Sequence, residues 1–407
     1  MDLSYPAETE PLRAEIRQWL VDNLPDGWGR PGFALSKDEK KAFNRDWVKK
    51  LYDGGWICAS WPKEYGGKGL SLMESVVLNE EFARAEAPLR ADFFGDTLVG
   101  PTILQWATEE QKQQFIPGIL KGTIAWCQGF SEPDAGSDLA SLKTRAELDG
   151  DEWVINGQKV WTSFATTADY GMLVARTDWD LPKHRGISFF MLPMRQPGIE
   201  IRPIHQITGE SEFNEIFIDD ARVPTENLVG ELNAGWSVLQ TALAYERRFM
   251  GDLARTAKDN RRPRAEKTNV LIELARDAGR LSDPYIRQQI ARVDALATVN
   301  RWNTQRSKAA VDRGEAATLM ALGKIAMSRI LHETARVETE IVGAEAMLAG
   351  PDNPVGDAVT FRTMNAYFTS IGGGTDQIQR NIIGERVLGL PKEPEPYRNT
   401  PFRDLPH

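Results

Sequence analysis

The sequence predicts an α+β multidomain chain with an N-terminal helical domain, a middle antiparallel β-barrel or sandwich domain, and a C-terminal helical bundle. Apolar residues recur at helical spacing in the first and last parts of the chain, whereas the middle breaks into short β-rich runs separated by Gly, Pro and Asp. At 407 residues the chain also exceeds the roughly 100–200 that one domain usually takes, so two or three domains are expected.

The N-terminal part, residues 1–121, carries Leu12, Ile16, Trp19 and Leu20 on one helical face and Phe43, Trp47 and Leu51 on the next. Gly54-Gly55, Pro62, Gly66-Gly67 and Pro88 punctuate it, and residues 61–67 read as a turn. In residues 122–232, strands are read at 153–155, 172–175, 187–192 and 215–218, with Asn156-Gly157 as the strongest hairpin signal. No helix intervenes between these strands, which argues for a small antiparallel barrel or sandwich. Helical spacing returns in residues 233–390, where Ile286, Ile290, Val293 and Leu296 share a face, and a bundle is the natural packing. A charged stretch, residues 258–267, interrupts it and is expected as a surface loop. Residues 391–407 form a Pro-rich tail not expected to fold alone.

The 49 basic and 58 acidic residues nearly balance, and no run of like charges marks a nucleic-acid or lipid arm. The two cysteines, Cys58 and Cys127, have no partners at metal-ligand spacing, which argues against zinc and a disulfide framework and fits a reducing compartment. The N-terminus shows no basic region leading into an apolar one, and nowhere do about 18 apolar residues run together. The expected location is cytoplasmic, with no membrane span.

Three constellations can carry chemistry. Residues 131–138, Ser-Glu-Pro-Asp-Ala-Gly-Ser-Asp, offer small residues and free N–H groups that could approach a pyrophosphate; the same composition also makes an ordinary Asx/Ser/Gly turn. Residues 156–163 end on Trp161, Thr162 and Ser163, where an indole could cover a conjugated ring and a hydroxyl could bond its edge, or where the Trp simply fills a core. Gly372-Gly373-Gly374-Thr375-Asp376 precedes a helical run and could present N–H groups to an anion or a developing oxyanion, or serve only as a flexible cap. Neither a GxGxxG nor a Walker sequence is present.

In this order, and with the helix–barrel–helix pattern around them, the three stretches resemble the acyl-CoA dehydrogenase family over essentially the whole chain, including its actinobacterial FadE-type members. The resemblance implies a C-terminal four-helix bundle, FAD between the β domain and the bundle, and usually a tetramer. It also implies that Phe130, Ser131, Gly136 and Ser137 line the flavin and pyrophosphate, that Trp161 and Ser163 sit at the isoalloxazine, and that Thr375 and Gln377 hold the dinucleotide portion. No metal is implied.

Many family members carry the catalytic glutamate directly before the Gly-Thr pair of the third motif, where this chain has Gly373. In isovaleryl- and long-chain-type members the base lies instead early in the first bundle helix, a position that matches Glu246, followed by Arg247. Helical spacing supports this independently: Leu239, Ala242, Leu243, Glu246 and Met250 form one stripe, so the carboxylate projects from an apolar face. Desolvation would raise its pKa and Arg247 would oppose the rise.

The reaction so implied is α,β-dehydrogenation of an acyl-CoA to the trans-2-enoyl-CoA, with the thioester carbonyl held by the Gly373 N–H and electrons passed to electron-transferring flavoprotein. Fatty acid, lipid or steroid breakdown is the corresponding setting. The Arg-x-x-Phe-Gly and Gln-x-x-Gly-Gly sequences by which relatives grip a neighbour's flavin are replaced by Gly279-Arg280 and Glu340-Ile341-Val342-Gly343. A homotetramer, a dimer of dimers and a hetero-oligomer therefore all stay open. So do a flavin monooxygenase or desulfinase on the same scaffold, and a flavin-poor subunit of a mixed tetramer.

Overall fold

The computed structural model describes residues 7–30, 33–88, 94–256, 270–312 and 320–406; the charged stretch 258–267 lies outside them. Among the described residues five α-helices come first: α1 (Glu10–Asn23), α2 (Lys37–Asp53), α3 (Leu72–Arg84), α4 (Gly100–Trp106) and α5 (Glu109–Lys121). Helices α2, α3 and α5 each begin with a reciprocal capping box, Ser36/Glu39, Ser71/Glu74 and Thr108/Gln111, which satisfies N–H groups the helix leaves open. The faces read from spacing turn inward: Ile16, Leu20, Trp47 and Leu51 are buried, and Trp19 packs among Trp47, Trp56 and Phe82 at 5.3, 5.9 and 6.0 Å. Beneath them the carboxylate of Glu81, 1% exposed, accepts from Arg13 at 2.6 Å, Arg17 at 2.8 and 2.9 Å and Arg84 at 2.6 Å. Burial pushes this carboxyl up, but the three guanidiniums outweigh it and bring it down to about 2.

The middle of the chain forms one eight-stranded sheet: β1 (Trp126–Gly129), β2 (Arg145–Asp149), β3 (Glu152–Ser163), β4 (Tyr170–Arg176), β5 (Ile187–Pro193), β6 (Ile199–Pro203), β7 (Phe213–Pro224) and β8 (Leu228–Val229). Its order is β6-β7-β3-β2-β4-β5-β8, with β1 beside β4. The sheet is mixed and open rather than antiparallel and closed: β1 and β2 each pair with β4 in parallel. The β2–β3 hairpin and a long loop separate β1 from β4, room enough for the crossover that parallel pairing needs.

The Asn156-Gly157 signal is also corrected. That dipeptide lies inside β3, and the β2–β3 turn is at Gly150-Asp151. Glycine is required at 157 by packing, because a β-carbon there would stand 2.5 Å from Thr144 Oγ1.

Strands β4 and β5 are buried on both faces, which is why they read as continuous apolar runs. Met172, Val174, Ile187, Phe189 and Met191 face a core shared with the N-terminal helices. Leu173, Ala175, Phe190 and Leu192 face a second core with Trp153, Ile155, Ile216 and Ile218.

Helix α6 (Gly235–Thr256) starts against β5, so closely that a β-carbon on Gly235 would lie 2.5 Å from the Ser188 carbonyl carbon. Its Val238, Leu239 and Ala242 complete the first core. Helices α7 (Val270–Asp277), α8 (Pro284–Asp312), α9 (Met320–Val342), α10 (Pro354–Ile371) and α11 (Asp376–Ile382) follow. Leu271, Ile286, Ile290, Val293, Val337 and Ile341 form a third core among α7, α8 and α9. The tail builds no core of its own, yet its end returns to the sheet region, where Phe402 is buried. No described helix is long and apolar enough to cross a membrane.

Candidate active site

Strand β1 delivers the first motif. Phe130 is buried and Ser131 half-buried; Glu132 and Ala135 exchange two backbone hydrogen bonds of 3.1 Å that close the turn over Pro133-Asp134. Gly136 and Ser137 stand exposed beyond it, and a β-carbon on Gly136 would meet nothing within 4 Å. The loop is tied down by a buried ion pair that the sequence reading missed. Glu132 accepts from the Lys143 and Thr144 N–H groups at 2.6 and 2.8 Å and from Lys159 Nζ at 2.9 Å, and the same ammonium donates to the Phe130 carbonyl at 3.1 Å. Burial drives both charged groups toward neutrality. At Glu132 the Lys159 charge and the N–H donors prevail and hold the carboxyl below the usual range, while burial wins at Lys159 and lowers its ammonium. The available signal was register: Lys159 shares a strand face with Trp153 and Ile155, and a cation on an apolar face calls for a partner.

The end of β3 turns Trp161 outward. The ladder with β7 slips between Lys159↔Ile216 and Thr162↔Asn214, which inserts one extra residue into β3. Trp161 takes a left-handed φ of 62° and is 57% exposed, so it is no core residue. Ser163 is half-buried beside it. The Trp161 ring packs edge-on against Phe213 at 6.2 Å, Phe213 against Phe368 of α10 at 5.4 Å, and a β-carbon on Gly372 would stand 2.6 Å from the Phe368 ring. The second motif thus reaches the third through two phenylalanines. It meets the first where Val160 N–H donates to Ser131 O at 2.9 Å.

In the glycine turn, Gly373 and Gly374 have φ of 66° and 87°, conformations that L side chains rarely adopt. Thr375 then caps the seven-residue α11, its hydroxyl accepting from Ile378 N–H at 3.2 Å, and Gln377 points to the exposed side. Asp376 is anchored to α9 by Lys324 at 3.1 Å and Ser328 at 2.9 Å, and the buried Gln379 donates to Gly373 O at 3.3 Å. Opposite this turn stands α6. Leu239 and Ala242 are fully buried on the stripe that carries half-buried Glu246, and a β-carbon on Gly373 would lie 3.8 Å from Glu246 Oε1. The two alternative positions for a carboxylate thus lie side by side. The Arg247 side chain lies outside the described part of the chain.

Comparison with protein families matches this layout throughout. The acyl-CoA dehydrogenase N-terminal domain matches residues 6–123, the middle domain residues 127–221 and the C-terminal domain residues 233–388. The chain belongs to the acyl-CoA dehydrogenase family. It is 39% identical over 401 residues to the acyl-CoA dehydrogenase IpdE1 of Mycobacterium tuberculosis, covering 95% of this chain and 99% of that one. It is also 35% identical to FadE26 of the same organism, over 96% of this chain and 99% of the other. Among solved structures, the Tcur3481-Tcur3483 steroid ACAD superposes with a TM-score of 0.77 at 34% identity, covering 97% of this chain and 100% of that one. The ChsE4-ChsE5 complex from Mycobacterium tuberculosis gives 0.72 at 31% identity, with the same coverage.

As an acyl-CoA dehydrogenase, the chain is an FAD-dependent oxidoreductase. The residues present fit that cofactor. Open space surrounds Gly136, an indole is displayed at positive φ, and Gln128 Oε1, Thr162 Oγ1 and Gln379 Oε1 are buried without a partner among the described residues.

Proposed function

We propose that the chain dehydrogenates an acyl-CoA thioester between its α- and β-carbons, with Glu246 as base, and releases the trans-2-enoyl-CoA. The observation that carries this reading is the 3.8 Å between Glu246 Oε1 and the β-carbon position of Gly373. A carboxylate from either wall would reach the same proton. FAD, when bound, supplies the acceptor for the hydride that leaves the β-carbon. Glu246 takes the α-proton, and the Gly373 N–H donates a hydrogen bond to the thioester carbonyl oxygen, which acidifies the α-carbon.

In the same reading Phe130, Ser131, Gly136, Ser137, Trp161, Ser163, Thr375 and Gln377 hold the cofactor, and Arg247 is the cation that follows the base in the sequence. The domain divisions fall at 121/122, 232/233 and 390/391. Electron-transferring flavoprotein is the oxidant that the family resemblance implies. The names of two similar structures, a steroid ACAD and a two-chain complex, support a bulky polycyclic thioester and a pairing of unlike subunits for this chain as well.

Anaerobic titration of the purified yellow protein with short, long, branched and steroid-side-chain acyl-CoAs tests the proposal. At least one thioester should bleach the flavin stoichiometrically. A flavin that no acyl-CoA reduces would favour a monooxygenase or desulfinase on this scaffold, and a colourless protein would favour a flavin-poor partner subunit.

A further inference from the structure

The end of the chain is docked, and what it docks on leads to the cofactor loop. Phe402 is 2% exposed; its N–H donates to Leu181 O at 3.0 Å and the Arg403 N–H to Trp179 O at 3.1 Å. Pro401 bridges to Pro182, and the Arg403 guanidinium pairs with Asp180 at 2.6 Å. The Phe402 ring packs on Trp179 at 5.4 Å and lies 3.5 Å from the guanidinium of Arg176.

Arg176 has no exposed surface, and among the described residues no carboxylate pairs with it. Its donors go to the carbonyls of Ala140 at 2.7 Å, Leu142 at 3.1 Å and Lys183 at 3.3 Å, and burial brings it down to about 10. Its hydrogen-bond acceptors are all neutral carbonyls, with Glu132 and Asp178 favouring its charge only from beyond pairing distance, so the cation depends on having its faces covered against water, and Phe402 covers one of them.

Two of the carbonyls that Arg176 holds, those of Ala140 and Leu142, belong to the segment just after the first motif. The next two N–H groups, of Lys143 and Thr144, hold Glu132; Glu132 pairs with Lys159, and Lys159 holds the Phe130 carbonyl. From the same docking loop, Lys183 reaches Asp138 at 3.0 and 3.1 Å. A continuous run of contacts therefore connects Phe402 to both ends of residues 130–138, while the tail itself contributes none of the residues assigned to the cofactor.

We propose that residues 401–405 are a positioning element for the cofactor loop, in which Phe402 acts through Arg176 to hold residues 130–138 in the conformation that receives FAD. The inference rests on the reading of that loop as part of the FAD site.

The test is the FAD dissociation constant of the full-length apoprotein, measured by flavin fluorescence for wild type, Phe402→Ala, Phe402→Tyr and Arg176→Lys, and for a chain ending at Thr400. Loss of one desolvated cation–ring contact predicts about a tenfold weaker FAD affinity for Phe402→Ala and for the shortened chain. Phe402→Tyr, which restores the ring, should stay within about twofold of wild type. Adding Phe402→Ala to Arg176→Lys should weaken binding little further, because both act on one path.

A folded Phe402→Ala protein with wild-type affinity overturns the inference, and so do fully additive losses, since a merely structural segment would give them. Should Phe402→Ala fail to fold, Phe402→Leu fills the site without offering a ring, and wild-type affinity there overturns it equally. A wild-type chain that takes up no FAD instead overturns the reading of the loop itself, and the inference with it.

Discussion

Replacing Lys159 by Met tests the support beneath the cofactor loop, because it keeps an unbranched apolar stem and removes the ammonium together with the two hydrogen bonds it donates. Lys159 is wholly buried and holds Glu132 at 2.9 Å and Phe130 O at 3.1 Å. Removing one partner of a buried pair typically costs about 3–5 kcal/mol, because the other charge is left uncompensated. Glu132 would still accept from two backbone N–H groups at 2.6 and 2.8 Å. The loss should therefore fall near the low end, about 3 kcal/mol. Urea unfolding of the apoprotein measures it, with the transition of the sheet followed by fluorescence. The paired variant Lys159→Met with Glu132→Gln should lose at least about 1 kcal/mol less than the two single changes added together. A Lys159→Met protein within about 0.5 kcal/mol of wild type, or strict additivity in the cycle, would mean that the Lys159–Glu132 pair does not hold the loop.

Acid should expose the Glu81 cluster. Its carboxyl sits at about 2 in the folded chain against an ordinary 4.5, so the unfolded chain binds the proton more readily. The stabilisation, at most about 3 kcal/mol, is fully present above the ordinary value and is lost as pH falls through the folded one. The stability gap between wild type and Glu81→Gln should close between pH 5 and pH 2, and a constant gap would contradict the assignment. In the glycine turn, Gly374→Ala combines a φ of 87° with a β-carbon 2.8 Å from Gln379 Nε2, whereas Gly373→Ala meets only Glu246 Oε1 at 3.8 Å. Both variants should be destabilised by about 1 kcal/mol for the backbone, with Gly374→Ala the worse in a thermal melt.

Much of this architecture is legible in the sequence, because burial leaves periodic traces. Ile16 and Leu20 fall on a helical face, and the runs 172–175 and 187–192 are continuous because both faces of β4 and β5 are covered. Glu246 stands out as a carboxylate on an apolar stripe. Long-range contacts are less legible. Gly157 reads as a turn residue, although its glycine answers to the approach of Thr144 from β2's leading segment. The register of Lys159 calls for a partner without saying which, and Arg176 looks like an ordinary strand charge, until the fold supplies Glu132 and the carbonyls of Ala140 and Leu142. The outward turn of Trp161 depends on a one-residue slip that no local propensity encodes. The tail carries no apolar period, so only the pocket at Trp179 and Arg176 explains the burial of Phe402.

Whether Glu246 is the base is decided by the rate at which the best acyl-CoA bleaches the flavin of Glu246→Gln under anaerobic rapid mixing. The variant keeps the side chain's volume and hydrogen bonding but cannot accept the α-proton. It should hold a full complement of FAD and bleach about 10²-fold or more slowly than wild type. Glu246→Gly combined with Gly373→Glu should recover part of that rate, since a β-carbon at residue 373 stands 3.8 Å from the lost oxygen. A Glu246→Gln enzyme that bleaches at near the wild-type rate would mean that another residue removes the proton.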